Sequence, residues 1–300
     1  MAPSDFVPTI AALAVAVFAI STSAPLIAYA AAPALAIACW RNTFAVGVLA
    51  PITGTVRRRE LTGAGRPALI ASLLAGTALA VHFGTWVPSA KLTGVAASTA
   101  LVATQPVWQG LIALGQGRRL PAAVWLGIGT AVAGAVLTTG ADVGLSGHAF
   151  AGDLLALAGG VSVAVYTAFG ERARASLSTT TYTTVCYAVC AVLLGALCLV
   201  AGVPLAGYPA TTWLAILAIA AGPQLLGHSM FSYALQRVSA TTVSVLALLE
   251  VPGAALLGWL WLHQTPRLNQ VPGLILLVLG VAIVVIGAAR GPAVSAVEEL

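Results

Sequence analysis

A chain of 300 residues that is 60% hydrophobic and only 7% charged, with a mean hydropathy of +1.01, is too apolar to fold as a soluble domain. Its formal net charge of +5 could suggest nucleic-acid binding, but the basic residues lie in short connections between apolar runs. The composition therefore predicts an all-α integral membrane protein that contacts the lipid bilayer and binds no nucleic acid.

The apolar runs, taken in chain order, are sufficient for ten transmembrane helices, because a helix needs about 20 apolar residues to cross a bilayer. The predicted spans are residues 8–29, 34–54, 67–88, 92–114, 122–140, 152–170, 179–201, 211–232, 239–261 and 270–289. The first run is expected to remain as a span, since it is long and is preceded by Asp5 without any basic residue, unlike a signal peptide.

Basic residues concentrate in alternate connections and in the C-terminal tail. The residues with this distribution are Arg57, Arg58, Arg59, Arg66, Arg118, Arg119, Arg172, Arg174, Arg237 and Arg290. The other connections contain only Lys91 and Arg267, and Arg41 lies within the second span. Because basic connections stay in the cytoplasm, this asymmetry predicts a multi-pass plasma-membrane protein, at the inner membrane of a bacterium, with both termini cytoplasmic.

Residues 146 positions apart match along the two halves, which indicates an internal repeat. The matched pairs include His82 with His228, Gly76 with Gly222, Ser98 with Ser244, Pro106 with Pro252, Gly127 with Gly273 and Gly134 with Gly280. Five spans in each half is an odd number, so the two repeats would insert in opposite orientations. We expect a first repeat over residues 1–140, an external connection over 141–152, a second, inverted repeat over 153–290 and a cytoplasmic tail over 291–300.

Pro106 and Pro252 lie inside the fourth and ninth spans, where each removes a backbone donor. The carbonyls expected to be freed are those of Val102 and Leu248. In lipid such a carbonyl needs a partner or a cavity. Polar groups lie beside the two prolines, among them Gln105 and Glu250. We therefore predict helix kinks beside a polar cavity, while a kink alone is the alternative.

His82 and His228 lie at matching positions inside apolar runs. Ionisable residues within spans rarely face lipid and often mark a pathway for a substrate or an ion. This pattern predicts that both histidines contact the substrate. A neutral histidine bonded to a neighbouring helix is the alternative explanation for each.

Glu250 is the one carboxylate deep inside a predicted span, and Arg41 is the one basic residue within a span; an unpaired charge is costly there. Three arrangements are open from the sequence. The two residues could form a charge pair, they could bind opposite ends of a zwitterionic substrate, or Glu250 could carry a proton.

Trp108 lies well inside the fourth span, whereas the other tryptophans fall near predicted span ends, where indoles form an interfacial belt. Together with Phe83, Tyr166 and Tyr187 it could form an apolar surface on which a flat substrate stacks. Packing within the helix bundle is the alternative for each of these residues.

Catalytic and metal-binding motifs are missing from the sequence, which has no HExxH, no GxSxG and no phosphate-binding loop. The cysteines lie in predicted spans without the spacing of a zinc site: Cys39, Cys186, Cys190 and Cys198. We expect no enzymatic activity, no cofactor and no bound metal.

Two stretches at matching positions resemble EamA-type transporters of the drug/metabolite transporter superfamily. They begin AASTALVATQPVWQG at Ala96 and TTVSVLALLEVPGAA at Thr241, and each ends in a glycine-rich span. Arg41, in CWRNTF, is similar to an arginine of the second span in that family. The resemblance implies ten helices in two inverted five-helix repeats, a central cavity and alternating access. The Leu-Gly-Glu motif of the family is replaced here by LGQGRR and WLHQT.

The resemblance further implies export of amino acids, with aromatic or large apolar ones favoured, or of related small metabolites. The predicted substrate contacts are His82, Trp108, His228, Gln105, Glu250, Phe83, Tyr166 and Tyr187. A channel-like facilitative pore and a membrane scaffold without transport activity are the alternatives. Proton coupling and facilitated diffusion are both compatible with the sequence, and so are several oligomeric states, with a monomer slightly favoured.

Overall fold

A computed structural model describes residues 3–92, 98, 101–139, 147–262 and 268–290, and over those residues the chain is helical without any β-strand. The α-helices are α1 (Pro3–Ser21), α2 (Ser23–Tyr29), α3 (Ala34–Thr55), α4 (Arg58–Gly63), α5 (Arg66–Leu92), α6 (Gln105–Gly115), α7 (Ala122–Thr139), α8 (Gly147–Arg174), α9 (Thr179–Val200), α10 (Ala210–Ile219), α11 (Ser229–Ala234), α12 (Ala240–Ala247), α13 (Glu250–Leu262) and α14 (Val271–Arg290). A π-helical segment, Ala220–His228, joins α10 to α11, and a short 3-10 helix, Leu268–Gln270, precedes α14.

Eight stretches in the described residues are long and apolar enough to cross a membrane. They are Phe6–Ile27, Ala34–Thr55, Arg66–Ser89, Phe150–Arg174, Thr179–Val200, Ala210–Ala234, Ala240–Leu257 and Val271–Ala288. The chain is therefore an all-α, multi-pass membrane protein, as predicted. The fifth predicted span corresponds to a shorter apolar helix, Ala122–Thr138, and the fourth lies partly outside the described residues. The count of ten stays a prediction.

Helix breaks precede both prolines that were predicted to produce kinks. Pro106 lies in the first turn of α6, and the chain turns at Thr104, whose hydroxyl donates to the carbonyl of Leu101 at 2.6 Å. Pro252 lies in the first turn of α13, after a turn at Leu248. The carbonyl of Leu248 is not left free, contrary to our expectation, because it accepts the N–H of Val251 at 3.0 Å in a tighter turn.

The π-helical segment lies in the eighth predicted span, where the sequence pattern had indicated a regular helix. Pro223 removes one backbone donor within it. The carbonyl of Gln224 accepts the backbone N–H of Ser229, five residues later, and also the hydroxyl of Tyr187 at 3.4 Å. The side-chain amide of Gln224 donates to Asn42 at 3.1 Å. These contacts with α3 and α9 hold the widened turn in place.

The packing of the helices follows the 146-residue repeat. When each helix of a packed pair is replaced by the helix 146 residues away in the other half, the result is again a packed pair. Helix α5 packs on α8, and reciprocally α1 packs on the π-helical segment and α11. Helix α3 packs on α9, and α7 packs on α14. Small residues allow the last pair to approach closely, as expected for helices in lipid.

The basic connections meet at one end of the bundle. Arg118, after α6, binds the carboxylate of Glu171 on α8 through two hydrogen bonds of 3.2 and 2.9 Å. Glu171 also accepts the backbone N–H of Ala240, at the start of α12, at 2.8 Å. Glu60 in α4 accepts the backbone N–H of Ser178, before α9. The described residues do not include residues 141–146 of the expected external connection, Arg267 or the expected tail.

Candidate functional site

A cavity of about 310 Å³ lies between the two halves, and we call it the central cavity. Its wall combines residues of the first half with residues of the second: Ile20, Ser23, Arg41, His82, Phe83, Trp86, Val102, Ala103, Gln105, Val163, Tyr166, Thr167, His228, Phe231, Ser232, Leu235, Val243, Ala247, Leu248, Glu250, Val251 and Ala254. Most of this surface is apolar, with a few polar groups, which is the usual make-up of a small-molecule site. Its volume is at the lower end of the range of about 300–1,000 Å³ for such sites.

Five rings form a continuous row along the cavity wall. Trp86 and His82 are stacked, with centroids 5.7 Å apart and planes 9° apart. Phe83 links the two histidines, with its centroid 5.0 Å from His82 and 6.1 Å from His228. Tyr166 follows at 6.0 Å from His228. The row therefore crosses from the first half of the chain to the second.

His82 is oriented by the backbone of α8. Its Nδ1 lies 2.9 Å from the carbonyl oxygen of Gly159, and because a carbonyl only accepts, Nδ1 must carry the proton. In the neutral ring Nε2 is then the acceptor. Glycine at position 159 permits this approach, since a Cβ there would lie 3.2 Å from the Cβ of Trp86.

Arg41 is 2% exposed and lines the central cavity. Its guanidinium carbon lies 4.8 Å from the ring centroid of Phe83. Its Nε and Nη2 are enclosed and have no hydrogen-bond partner in the described part of the chain. Buried guanidinium nitrogens normally have partners, so this donor capacity is unused.

The candidate charge pair between Arg41 and Glu250 is not formed. Among the described residues, the Arg–carboxylate pairs within 4.0 Å are Arg57 with Glu60 and Arg118 with Glu171. Arg41 instead lies over the ring of Phe83, while Glu250 begins α13 and lines the same cavity. Both charges face the cavity, but they do not neutralise each other by contact.

Six of the eight residues predicted to contact a substrate line the central cavity, and two do not: Trp108 and Tyr187. Trp108 is turned back along its own helix, where Nε1 donates to the hydroxyl of Thr104 at 3.0 Å. The hydroxyl of Tyr187 is paired with that of Ser229 at 3.1 Å. Gln105 does line the cavity, and its amide donates to Thr167 on α8 at 3.3 Å.

Comparison with known proteins found one family that the second half of the chain resembles. Residues 150–286 match the EamA-like transporter family. The matched segment covers somewhat less than half of the chain and is similar to that family. The family is one of membrane transporters of the drug/metabolite type.

Twenty chains of solved structures also match this chain. One is a protein crystal structure that superimposes with a TM-score of 0.79 at 22% sequence identity, over 95% of this chain and 99% of that one. At that identity the likeness establishes the fold alone. No curated protein matches the chain in sequence.

Trp86 lines the central cavity, whereas the sequence had predicted it at the membrane interface. Helix α5 continues to Leu92, so Trp86 lies more than a turn inside its end. Its position one turn after His82 was the available signal, because residues four apart share a helix face. Thr167 and Phe231 of the second half also line the cavity, and no sequence pattern distinguished them from ordinary packing residues.

A second cavity, of about 770 Å³, opens at the end where the basic connections meet, and we call it the end cavity. It is lined by Arg57, Glu60 and Arg174 among others. Ser229 and Tyr233 on α11 also line it, whereas Phe231 and Ser232 on the same helix line the central cavity. Helix α11 is thus a partition between the two cavities. The Nε of Arg174 donates to the carbonyl of Ser232 at 2.9 Å and holds this partition.

Metal ligands do not cluster in the described residues, where no group of three His, Cys, Asp or Glu side chains is close enough to hold an ion. Four cysteines are buried as free thiols: Cys39, Cys186, Cys190 and Cys198. They pack within the bundle, where Cys186 and Cys190 belong to the same hydrophobic cluster as Tyr187.

Proposed function

We propose that this protein exports amino acids, with aromatic or large apolar ones favoured, or related small metabolites, and that it does so by alternating access. The observation that carries the proposal is the row of rings from Trp86 to Tyr166, which lines a ligand-sized cavity shared by both halves. Rings in offset or edge contact favour a flat apolar side chain. The similarity of residues 150–286 to a transporter family supports a role in transport for this cavity.

Each half would act as one repeat, over residues 1–140 and 153–290, with 141–152 as the external connection and 291–300 as a cytoplasmic tail. Packed helix pairs at positions 146 residues apart support this division, and so do the helix breaks before Pro106 and Pro252. In transporters with inverted repeats, one repeat rocks against the other around a site at their interface. The central cavity has that position.

The end cavity would be the cytoplasmic vestibule of a plasma-membrane protein whose termini are both cytoplasmic. Its location beside Arg57 and Arg174 supports this orientation, because basic connections stay in the cytoplasm. Substrate would enter there and reach the central cavity when the partition formed by α11 moves. In bacteria the membrane would be the inner membrane.

The residues of the site would make different kinds of contact with the substrate. His82, Phe83, Tyr166 and His228 contact the substrate directly, and Gln105 and Glu250 supply polar contacts. Trp108 and Tyr187, predicted as contacts, lie outside the cavity wall and are paired with Thr104 and Ser229.

Counterflow in liposomes tests this function. Purified protein is reconstituted, the vesicles are loaded with unlabelled phenylalanine, and uptake of labelled phenylalanine is followed against a panel of unlabelled amino acids. A carrier gives saturable exchange that aromatic competitors inhibit. Flux that neither saturates nor shows counterflow would indicate a pore, and absence of flux together with a stable partner in mild detergent would indicate a scaffold.

A further inference from the structure

We infer that Arg41 is the residue that binds the carboxylate of the substrate, and that Glu250 faces the substrate's ammonium group across the central cavity. This inference rests on the proposed function and specifies how the site distinguishes an amino acid from related amines and acids. Its basis is that two opposite charges line one small cavity and are not paired with each other.

Arg41 has the donors that a carboxylate requires. Its side chain is 2% exposed, and Nε and Nη2 have no partner among the described residues. The guanidinium presents a planar fork that matches a carboxylate through two parallel hydrogen bonds. Phe83 lies against the guanidinium, with its ring centroid 4.8 Å from the guanidinium carbon, and this contact restricts where the fork can lie.

Glu250 provides the complementary charge. It is the first residue of α13 and lines the same cavity as Arg41. A zwitterion between the two would neutralise both cavity-lining charges at once, whereas an amine or an acid alone would leave one of them unpaired. The ring row beginning at Phe83 then lies where the apolar side chain of the ligand would extend.

The test uses competition against labelled phenylalanine in counterflow, with 2-phenylethylamine, which lacks the carboxylate, and 3-phenylpropionate, which lacks the ammonium. For the unmodified protein we expect both analogues to compete at least about tenfold more weakly than phenylalanine, because each loses a charged hydrogen-bonding pair. Arg41→Met should weaken the binding of phenylalanine by about tenfold or more and leave the affinity for 2-phenylethylamine unchanged. Glu250→Gln should weaken the binding of phenylalanine and leave the affinity for 3-phenylpropionate unchanged.

Arg41→Lys keeps the charge but loses the fork, so phenylalanine should be weakened less than by Arg41→Met. Trp108→Phe, outside the cavity, is the matched control and should leave all three affinities unchanged. Equal weakening of all three ligands in Arg41→Met and Glu250→Gln would mean that the two residues only support the fold, and would overturn the assignment. An unchanged ratio of phenylalanine to 2-phenylethylamine in Arg41→Met would overturn it as well.

Thermal unfolding of the detergent-purified protein separates this inference from the proposed function. If the unmodified protein exchanges no amino acid, the proposed function fails. The Arg41 assignment then stands only if 3-phenylpropionate raises the unfolding temperature of the unmodified protein and not that of Arg41→Met. If the unmodified protein shows no such rise, the assignment fails too.

Discussion

Gly134 on α7 and Leu277 on α14 are so close that a Cβ atom on Gly134 would lie 2.3 Å from the backbone nitrogen of Leu277. Gly280 has the reciprocal relationship, since its Cβ would lie 2.3 Å from the backbone nitrogen of Ala131. The two backbones are therefore in direct contact along this helix pair. Because the obstructing atoms belong to backbone, no rotation of a side chain could make room.

Gly134→Ala should destabilise the protein by about 1–3 kcal/mol, because the added methyl forces α7 and α14 apart. Gly129→Ala on the same helix is the control, since a Cβ there meets nothing within 4 Å. That variant should be neutral or slightly stabilising, as alanine favours a helix over glycine. Thermal unfolding in detergent measures both, and equal unfolding temperatures would contradict the close approach.

The contact between Arg118 and Glu171 joins the connection after α6 to the start of α12, because Glu171 also accepts from Ala240. Glu171→Ala should lower the free energy of unfolding by about 1–2 kcal/mol, through loss of a helix cap and of a partly exposed ion pair. The difference from the unmodified protein should shrink in high salt. Arg119→Gln, an exposed neighbour, serves as the control, and a similar loss there would argue against a specific contact.

Two tryptophans provide a paired test of which residues touch the substrate. Trp86→Leu should raise the half-saturating phenylalanine concentration roughly three- to tenfold, since an aromatic contact contributes about 0.5–1.5 kcal/mol. Trp108→Leu should leave that concentration unchanged, because the indole is directed toward Thr104 and lies outside the central cavity. A larger effect at Trp108 than at Trp86 would contradict the placement of both residues.

Glu60 makes stability depend on pH. Burial raises the pKa of Glu60, but hydrogen bonds from Ser178 and Thr181 and the charge of Arg57 outweigh it, so the pKa lies below its ordinary value. Because the pKa is lower in the folded protein than in the unfolded chain, the ionised carboxylate stabilises the fold. This stabilisation is complete above the pKa of the unfolded chain and is lost as the pH falls through the pKa of the folded protein. Glu60→Gln should therefore unfold at a temperature that varies less with pH on the acid side. Identical acid profiles for the two proteins would refute this role.

Much of the fold could be predicted from the apolar runs. The run at residues 34–54 predicted the helix Ala34–Thr55, because hydrophobic length determines a span. The π-helical segment Ala220–His228 could not be predicted, since its widened turn is held by tertiary contacts of Gln224 with Tyr187 and Asn42. Composition carries no information about such contacts.

The candidate site was predictable in its residue types more than in the direction of its side chains. His82, His228 and Glu250 were recognisable because polar groups inside spans seldom face lipid. Trp108 lies outside the central cavity, and its direction could not be predicted, since it depends on one hydrogen bond to Thr104. The approach of Arg41 to Phe83 rather than to Glu250 likewise depends on how α3 and α5 pack, which a single sequence does not reveal.

Counterflow of labelled phenylalanine by the His82→Ala/His228→Ala double variant, compared with the unmodified protein in liposomes, tests the central claim most directly. If the histidine-lined cavity is the transport pathway, the unmodified protein should show saturable exchange and the double variant should exchange at least about tenfold more slowly, since two contacts of about 1 kcal/mol each are lost. Size-exclusion chromatography in detergent should show that both proteins are folded. Exchange by the folded double variant at the rate of the unmodified protein would contradict the account, because transport would then follow a path that avoids this cavity.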